Sequence, residues 1–323
     1  MSLVTHHEVL SQVVELIENK NKFAITTHVK PDGDGVGSSL GLCWLLRSLG
    51  KDAEVIVRGD VPPAYRSLPG ADEIKDVSSV NGHYDAVFVM ECSDLERPGI
   101  EGLDKVFTVN IDHHVTSEHF GTINWIDSTA SAVGEMIYNL CKAIGGKITQ
   151  EIAECVYMAL VTDTGSFHFS NTSERTLKVA SELVKAGARP AKIGEAVYNN
   201  YPWSRIELMR QVLATVRRDD SGRIAMMRQT VEMEEHAGTI DGDNNGFVNI
   251  PLAARDVLVA IYMREMEPGK YRASLRSKGD INVAKVAEKF GGGGHRNAAG
   301  LGIEGDWDEA EARIVAALSE AIG

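Results

Sequence analysis

The segment F-A-I-T-T-H-V-K-P-D-G-D-G-V-G-S-S, residues 23–39, begins as a short apolar run and ends in a glycine-rich stretch with two aspartates. FAITTH (23–28) reads as a buried strand, and Pro31 and three glycines interrupt it before a helix over roughly 36–49. Upstream, Val9, Val13, Leu16 and Ile17 share one face of an amphipathic helix over 5–20. Downstream, EVIVR (54–58), DAVFVM (85–90) and KVFTVNI (105–111) read as further strands, and helical patterns cover 131–144, 150–162 and 173–187. Apolar strands alternating with helices predict an α/β domain, a mostly parallel sheet with helices on both faces.

At 323 residues, against a prior of ~150 per domain, the chain has room for two domains. The first is expected over 1–189, and 190–211 reads as a connector. Residues 212–323 read as a smaller α+β domain, with a cleft between the two. Its elements are strands RIAMMRQ (223–229), VLVAIYMRE (257–265) and YRASLRS (271–277), then helices over 282–290 and 307–321. Acidic residues outnumber basic ones 46 to 33, for a net charge of -13, which argues against long duplex DNA and anionic membranes. Nine bases against five acids between 255 and 296 make that segment +4 and leave the remainder -17, a balance suited to a small anionic ligand. MSLVTHHEVL lacks the pattern of a signal peptide, and no apolar run reaches 18 residues. Cys43, Cys92, Cys141 and Cys155 form no CxxC pair and read as reduced thiols, so the expected location is cytoplasmic.

Ligands of open α/β sheets bind outside the carboxyl ends of strands. His28 ends the first strand, and Asp32 and Asp34 fall in the loop after it, whose glycines would let both carboxylates aim inward. Glu91 follows DAVFVM; Asp112, His113 and His114 follow KVFTVNI; Asp163 closes helix 150–162 in VTDTG. Imidazole with hard carboxylate oxygens suits a divalent ion such as Mn2+, and this set could hold two ions ~4 Å apart. Neither Asp32–Gly35 nor DGDNNG (241–246) opens an EF-hand, because the twelfth positions are Cys43 and Leu252, not glutamate; DGDNNG reads as a turn. Phe167, His168 and Phe169 read equally well as core or as a stacking surface for a base.

The second constellation is FGGGGHRNAAG (290–300). Gly291, Gly292, Gly293 and Gly294 allow close backbone approach to an anion, His295 and Arg296 add donors, and Arg276 and Ser277 sit on a nearby predicted strand. No GxxxxGK[ST] pattern occurs, which excludes a nucleotide-triphosphate P-loop.

HxxxDxD, a strand-end acid, Asp-His-His and a later Asp-Thr-Gly resemble the DHH phosphoesterase superfamily, and GGGGHRNAAG resembles the substrate-binding domain that follows in one branch. Within it, the chain most resembles the oligoribonuclease and phosphoadenosine-phosphate phosphatase group. The resemblance implies that His28 and Asp32 bind one cation, that Asp34, His113 and Asp163 bind the other, and that Glu91 bridges them. Mn2+ is the leading ion, with Mg2+ and Co2+ as alternatives. It further implies that Asp112 orients and His114 faces the scissile phosphate, as catalytic residues. Arg276, Ser277, Gly291–Gly294 and His295 would hold the substrate's other phosphate or terminal nucleotide. The implied activity is hydrolysis of short oligoribonucleotides to mononucleotides and of the 3′-phosphate of phosphoadenosine phosphate, in a chain that could form a homodimer. Glu91 stands where the family usually has aspartate. Two other readings follow: a phosphodiesterase for linear or cyclic dinucleotides, or a nucleotide sensor whose metal bridge Glu91 disables.

Overall fold

A computed structural model describes residues 6–239, 244 and 246–323, excluding the side chains of His6 and His295. The predicted turn at 241–246 therefore lies, apart from Asn244 and Gly246, outside the described residues, as do residues 1–5. The chain divides into two compact units, Met1–Asn200 and Tyr201–Gly323.

In the first unit, α1 (His6–Asn19) leads into β1 (Lys22–Thr27), α2 (Gly33–Ser48), β2 (Asp52–Val57), β3 (Lys75–Asp76), β4 (Ala86–Met90), β5 (Thr108–Asp112) and β6 (Ile123–Ile126). Helices α3 (Val133–Ala143), α4 (Gln150–Asp163), α5 (Glu174–Lys185) and α6 (Pro190–Tyr198) complete it. The six strands form a parallel sheet in the order β3-β2-β1-β4-β5-β6. Alternation along the strands sends Phe23, Ile25, Phe88 and Met90 into the main core beneath the helices, all fully buried. Each such side chain contributes ~1.5–3 kcal/mol relative to exposure. Ala24, Ile56, Val87 and Val89 face the other way, onto Cys92, Ile100 and Leu103, where the helical cover is a short 3-10 turn at Leu103–Lys105.

Helix α2 starts three residues earlier than its sequence pattern suggests. Its first turn contains Gly33, Asp34 and Gly35, none with positive φ, and Asp32 is its N-cap. The glycines serve packing rather than loop freedom. A Cβ on Gly37 would stand 2.5 Å from the Cys155 carbonyl oxygen of α4, and one on Gly41 would stand 3.0 Å from Val156. Close approach of two buried helices is what the glycines provide.

Residues 190–211, read from sequence as a connector, are mostly helical: α6 belongs to the first unit, and α7 (Trp203–Leu213) to the second. After α7 come β7 (Arg217–Arg218), β8 (Ile224–Gln229), α8 (Val231–Ala237), α9 (Asn249–Leu252), β9 (Val259–Glu267) and β10 (Lys270–Ser277). The unit ends with α10 (Val283–Glu288), β11 (Gly293–His295), β12 (Ala298–Glu304) and α11 (Trp307–Ile322). Its mixed sheet runs β11-β12-β10-β9-β8-β7, and β10, β12, α10 and α11 enclose a core around Leu275, Ala287, Leu301 and Ile314. Among the described residues, no helix is long and apolar enough to cross a membrane.

Candidate metal centre

The strand order reverses between β1 and β4, where an open α/β sheet leaves a crevice at its carboxyl end. His28 directly follows β1, Glu91 directly follows β4, and Asp112 is the last residue of β5. The N-cap and first turn of α2 supply Asp32 and Asp34, and the end of α4 supplies Asp163. Among the described residues three overlapping groups result, each with ligand atoms mutually within 4.8 Å: His28, Asp32 and Glu91; Asp34, Glu91, His113 and Asp163; and Glu91, His113 and His114. Glu91 belongs to all three.

His28 Nε2 lies 3.6 Å from Glu91 Oε2 and 3.9 Å from Asp32 Oδ1; His113 Nε2 lies 3.6 Å from Asp163 Oδ2 and 3.9 Å from Asp34 Oδ2. Backbone carbonyls fix both rings. His28 Nδ1 sits 3.0 Å from the Val29 oxygen and His113 Nδ1 sits 3.2 Å from the Ala130 oxygen, so each Nδ1 donates and each Nε2 faces the carboxylates. Asp34 is held by two backbone N–H donors at the start of α3, Val133 to Oδ2 at 2.6 Å and Gly134 to Oδ1 at 2.9 Å. Asp32 Oδ1 accepts the Asp34 and Gly35 amides, both at 3.0 Å. Asp112 Oδ1 accepts three bonds, from the amides of His113 (2.8 Å) and His114 (3.2 Å) and from His114 Nδ1 (2.7 Å), which sets the orientation of that ring.

The charges are unbalanced as they stand. Burial, then the nearby Asp163, pushes Asp34 well above the usual carboxylate range; burial, then Asp32, does the same to Glu91. Burial pushes Asp163 up to about 6. Burial also opposes ionisation of Asp32, but the nearby His28 and the Gly35 amide hold it below the ordinary value. Burial disfavours the charged form of His113, yet Asp34 and Asp163 raise its affinity for a proton. Glu91 Oε2 and His113 Nε2 are buried with no hydrogen-bond partner, a costly state that needs a cause. A Cβ on Gly35 would stand 3.1 Å from Glu91 Oε2 and 3.4 Å from His28 Nε2, so the missing side chain leaves a space bounded by ligand atoms. Unpartnered ligand atoms, that space, and oxygen with imidazole together fit hard divalent cations.

The backbone is also strained here. Among the described residues, the non-glycine positions with positive φ are Lys30 (54°), Glu91 (56°), Ser166 (59°) and Phe167 (65°), all at or just after a candidate ligand. Phe167 packs edge-on against Tyr157 at 6.0 Å, whereas Phe169 is 53% exposed.

In the second unit, the glycine run is not a free loop. Gly293 and Gly294 start β11, which pairs with β12. A Cβ on Gly292 would meet the Gly300 oxygen at 2.2 Å, and one on Gly294 the Ala298 oxygen at 2.5 Å. Strand packing accordingly demands two of the four glycines, while Gly291 has φ +74° and Gly293 has open space around it. The Ser277 hydroxyl donates to the Ile281 oxygen (2.7 Å) and accepts from Asn297 (3.0 Å), which makes it a brace within the fold. Arg296 binds Asp280. Arg276 is half-buried on β10, and burial alone depresses its proton affinity. The backbone of His295 lies in β11, and its side chain lies outside the described residues.

Sequence reading missed the supports: the Val133 and Gly134 amides, the Ala130 carbonyl, and Asn171, whose side-chain nitrogen donates to the carbonyls of Ser131 (3.0 Å) and Asp163 (3.1 Å).

Residues 22–160 match the DHH family, N-terminal domain, and residues 224–323 match the DHHA1 domain. A bifunctional oligoribonuclease and PAP phosphatase of Thermus thermophilus is 34% identical over 315 residues, 96% of this chain and 93% of its own. A protein of the same name from Bacillus subtilis is 29% identical over 316 residues, 95% of this chain and 97% of its own. The crystal structure of an exopolyphosphatase-related protein from Bacteroides fragilis, 29% identical, has a TM-score of 0.90 and covers 99% of this chain and 98% of that one. With matches that span nearly its whole length, the chain belongs to the DHH family, a DHH N-terminal domain followed by a DHHA1 domain.

Proposed function

We propose that this chain is a metal-dependent phosphoesterase that hydrolyses short oligoribonucleotides to mononucleotides and removes the 3′-phosphate of phosphoadenosine phosphate. The observation that carries the reading is the position of Glu91, within reach of both His28–Asp32 and Asp34–His113–Asp163. His28 and Asp32 would hold one cation, Asp34, His113 and Asp163 the other, and Glu91 would serve both, with Mn2+ the leading ion. Such a pair, when bound, supplies a water of lowered pKa and neutralises phosphate charge. Asp112 keeps the His114 ring in one orientation, and His114 would meet the phosphoryl oxygens or the leaving group. The names of the two relatives supply the substrate class. Arg276 and the open backbone at Gly291 and Gly293 would bind a second phosphate or the terminal nucleotide. Glu91 Oε2 points into the ligand cluster, which favours an active enzyme over a sensor with a disabled bridge. The test is purified protein with Mn2+ and RNAs of two to five nucleotides. Release of mononucleotides is expected; ligand binding without turnover would refute the reading.

A further inference from the structure

Segment 127–135 touches two of the candidate ligands, and is joined to a third through Asn171, while contributing none. Its Ala130 carbonyl fixes His113, its Val133 and Gly134 amides hold Asp34, and its Ser131 carbonyl shares the Asn171 nitrogen with the Asp163 carbonyl. The shape of this segment sets where those three ligands stand.

One side chain holds that shape from inside. Glu135 is fully buried, in the first turn of α3. Its Oε2 accepts from the Ser131 hydroxyl at 2.6 Å, from the Ser131 amide at 3.3 Å and from the Thr176 hydroxyl of α5 at 3.3 Å. Its Oε1 pairs with Arg175, which also donates to the Thr129 carbonyl at 2.9 Å. The segment is thereby pinned at both ends to α5. A buried carboxylate is costly unless paired and hydrogen-bonded, and this one directs its bonds at the turn that carries the ligand supports.

We infer that Glu135 is a positioning residue for the metal centre: by clamping residues 129–134 it presents Asp34, His113 and Asp163 at the spacing a divalent cation needs. The inference rests on the metal-centre reading proposed above. Groups that orient metal ligands from behind typically change metal affinity or activity by ~10–100-fold when removed.

The experiment is calorimetric Mn2+ titration of the full chain, with kcat and KM on a short RNA measured in parallel. Glu135→Ala, folded by circular dichroism, should bind Mn2+ at least about tenfold more weakly and lose kcat, with KM changed less than about threefold. Glu135→Gln keeps an acceptor for Ser131 and should recover most of the Mn2+ affinity. Should Glu135→Ala fail to fold, Ser131→Ala removes only the hydroxyl contact, and a Mn2+ affinity weakened about threefold or more is expected. Wild-type Mn2+ affinity in a folded Glu135→Ala or Ser131→Ala protein overturns the inference. Failure of the wild-type chain to take up Mn2+ refutes the metal-centre reading instead, so the two failures are distinguishable.

Discussion

Gly35→Ala and Gly37→Ala, two residues apart in one helix, should fail in opposite ways. A Cβ at position 35 meets the Thr27 hydroxyl oxygen at 2.6 Å, Glu91 Oε2 at 3.1 Å and His28 Nε2 at 3.4 Å. The last two atoms are 3.6 Å apart. The added carbon would thus sit roughly 2.7 Å from the midpoint of that gap, well inside the ~3.5–4.0 Å of an unstrained carbon contact. Any cation shared by Glu91 and His28 must compete with it. The contacts are otherwise with side-chain ends, and alanine's helix propensity returns up to ~1 kcal/mol, so the metal-free fold should lose little. At position 37 the carbon meets the Cys155 carbonyl oxygen at 2.5 Å and the Ala159 amide nitrogen at 3.1 Å, which are backbone atoms of α4 that cannot rotate aside. Overpacking there should cost ~1–3 kcal/mol, at ~2–4 °C of Tm per kcal/mol for a unit of this size. Mn2+ calorimetry and thermal unfolding in chelator separate the two. Gly35→Ala should weaken Mn2+ binding at least tenfold, ~1.4 kcal/mol, with a nearly unchanged metal-free Tm. Gly37→Ala should lower the Tm by several degrees and keep Mn2+ affinity within about twofold. Unchanged Mn2+ affinity in Gly35→Ala, or equal affinity losses in both, would refute the reasoning.

Asp163→Ala should reduce kcat on a short RNA at least ~10³-fold, whereas Arg276→Ala should mainly raise KM, by ~10–100-fold for a lost arginine–phosphate contact; equal kcat losses with unchanged KM would contradict this division. Glu91→Ala should abolish uptake of both ions because Glu91 belongs to every ligand group, while His28→Ala should leave one Mn2+ per chain, a stoichiometry that elemental analysis reads. Burial pushes Asp163 up to about 6 and Asp34 and Glu91 well above their usual range. Without metal, these carboxyls therefore keep protons in the folded chain that they lose in the unfolded one above ~pH 4. Their contribution to stability is present at low pH and fades as pH rises through about 6 and beyond. Mn2+ requires the ionised forms, so the Tm gain at a fixed Mn2+ concentration should grow between ~pH 5 and ~pH 7.5; a gain that shrinks with pH would count against the ligand set.

The strands at the site were legible because each is buried on both faces and carries apolar residues, continuous in AVFVM and interrupted by threonine, asparagine or aspartate in FAITT and TVNID. Strand ends then carried the histidines and acids to one edge, where Glu91, Asp112, His113 and His114 could be picked out. Edge strands hid better. β3 has two residues and β6 is the short INWI; β12, inside its sheet between β11 and β10, is AAGLGIE, whose small residues give no strong alternation. The start of α2 was misplaced for a physical reason. Glycine penalises a helix locally, yet here its contact with α4 and the ligand space outweigh the penalty. Glu135 and Asn171 escaped notice because their roles depend on contacts made across the fold, such as the grip of α3 on Asp34 from 99 residues away. The bracing contacts of Ser277 were not legible because its partners, Ile281 and Asn297, are set by the pairing of β10 with β12.

Crystals of the chain grown with Mn2+, measured at the manganese absorption edge, test the central proposition most directly. Two anomalous peaks ~4 Å apart should appear, with the Glu91 carboxylate between them, His28 and Asp32 on one side, and Asp34, His113 and Asp163 on the other. A map with no peak among these side chains, or with ions held elsewhere, would contradict it.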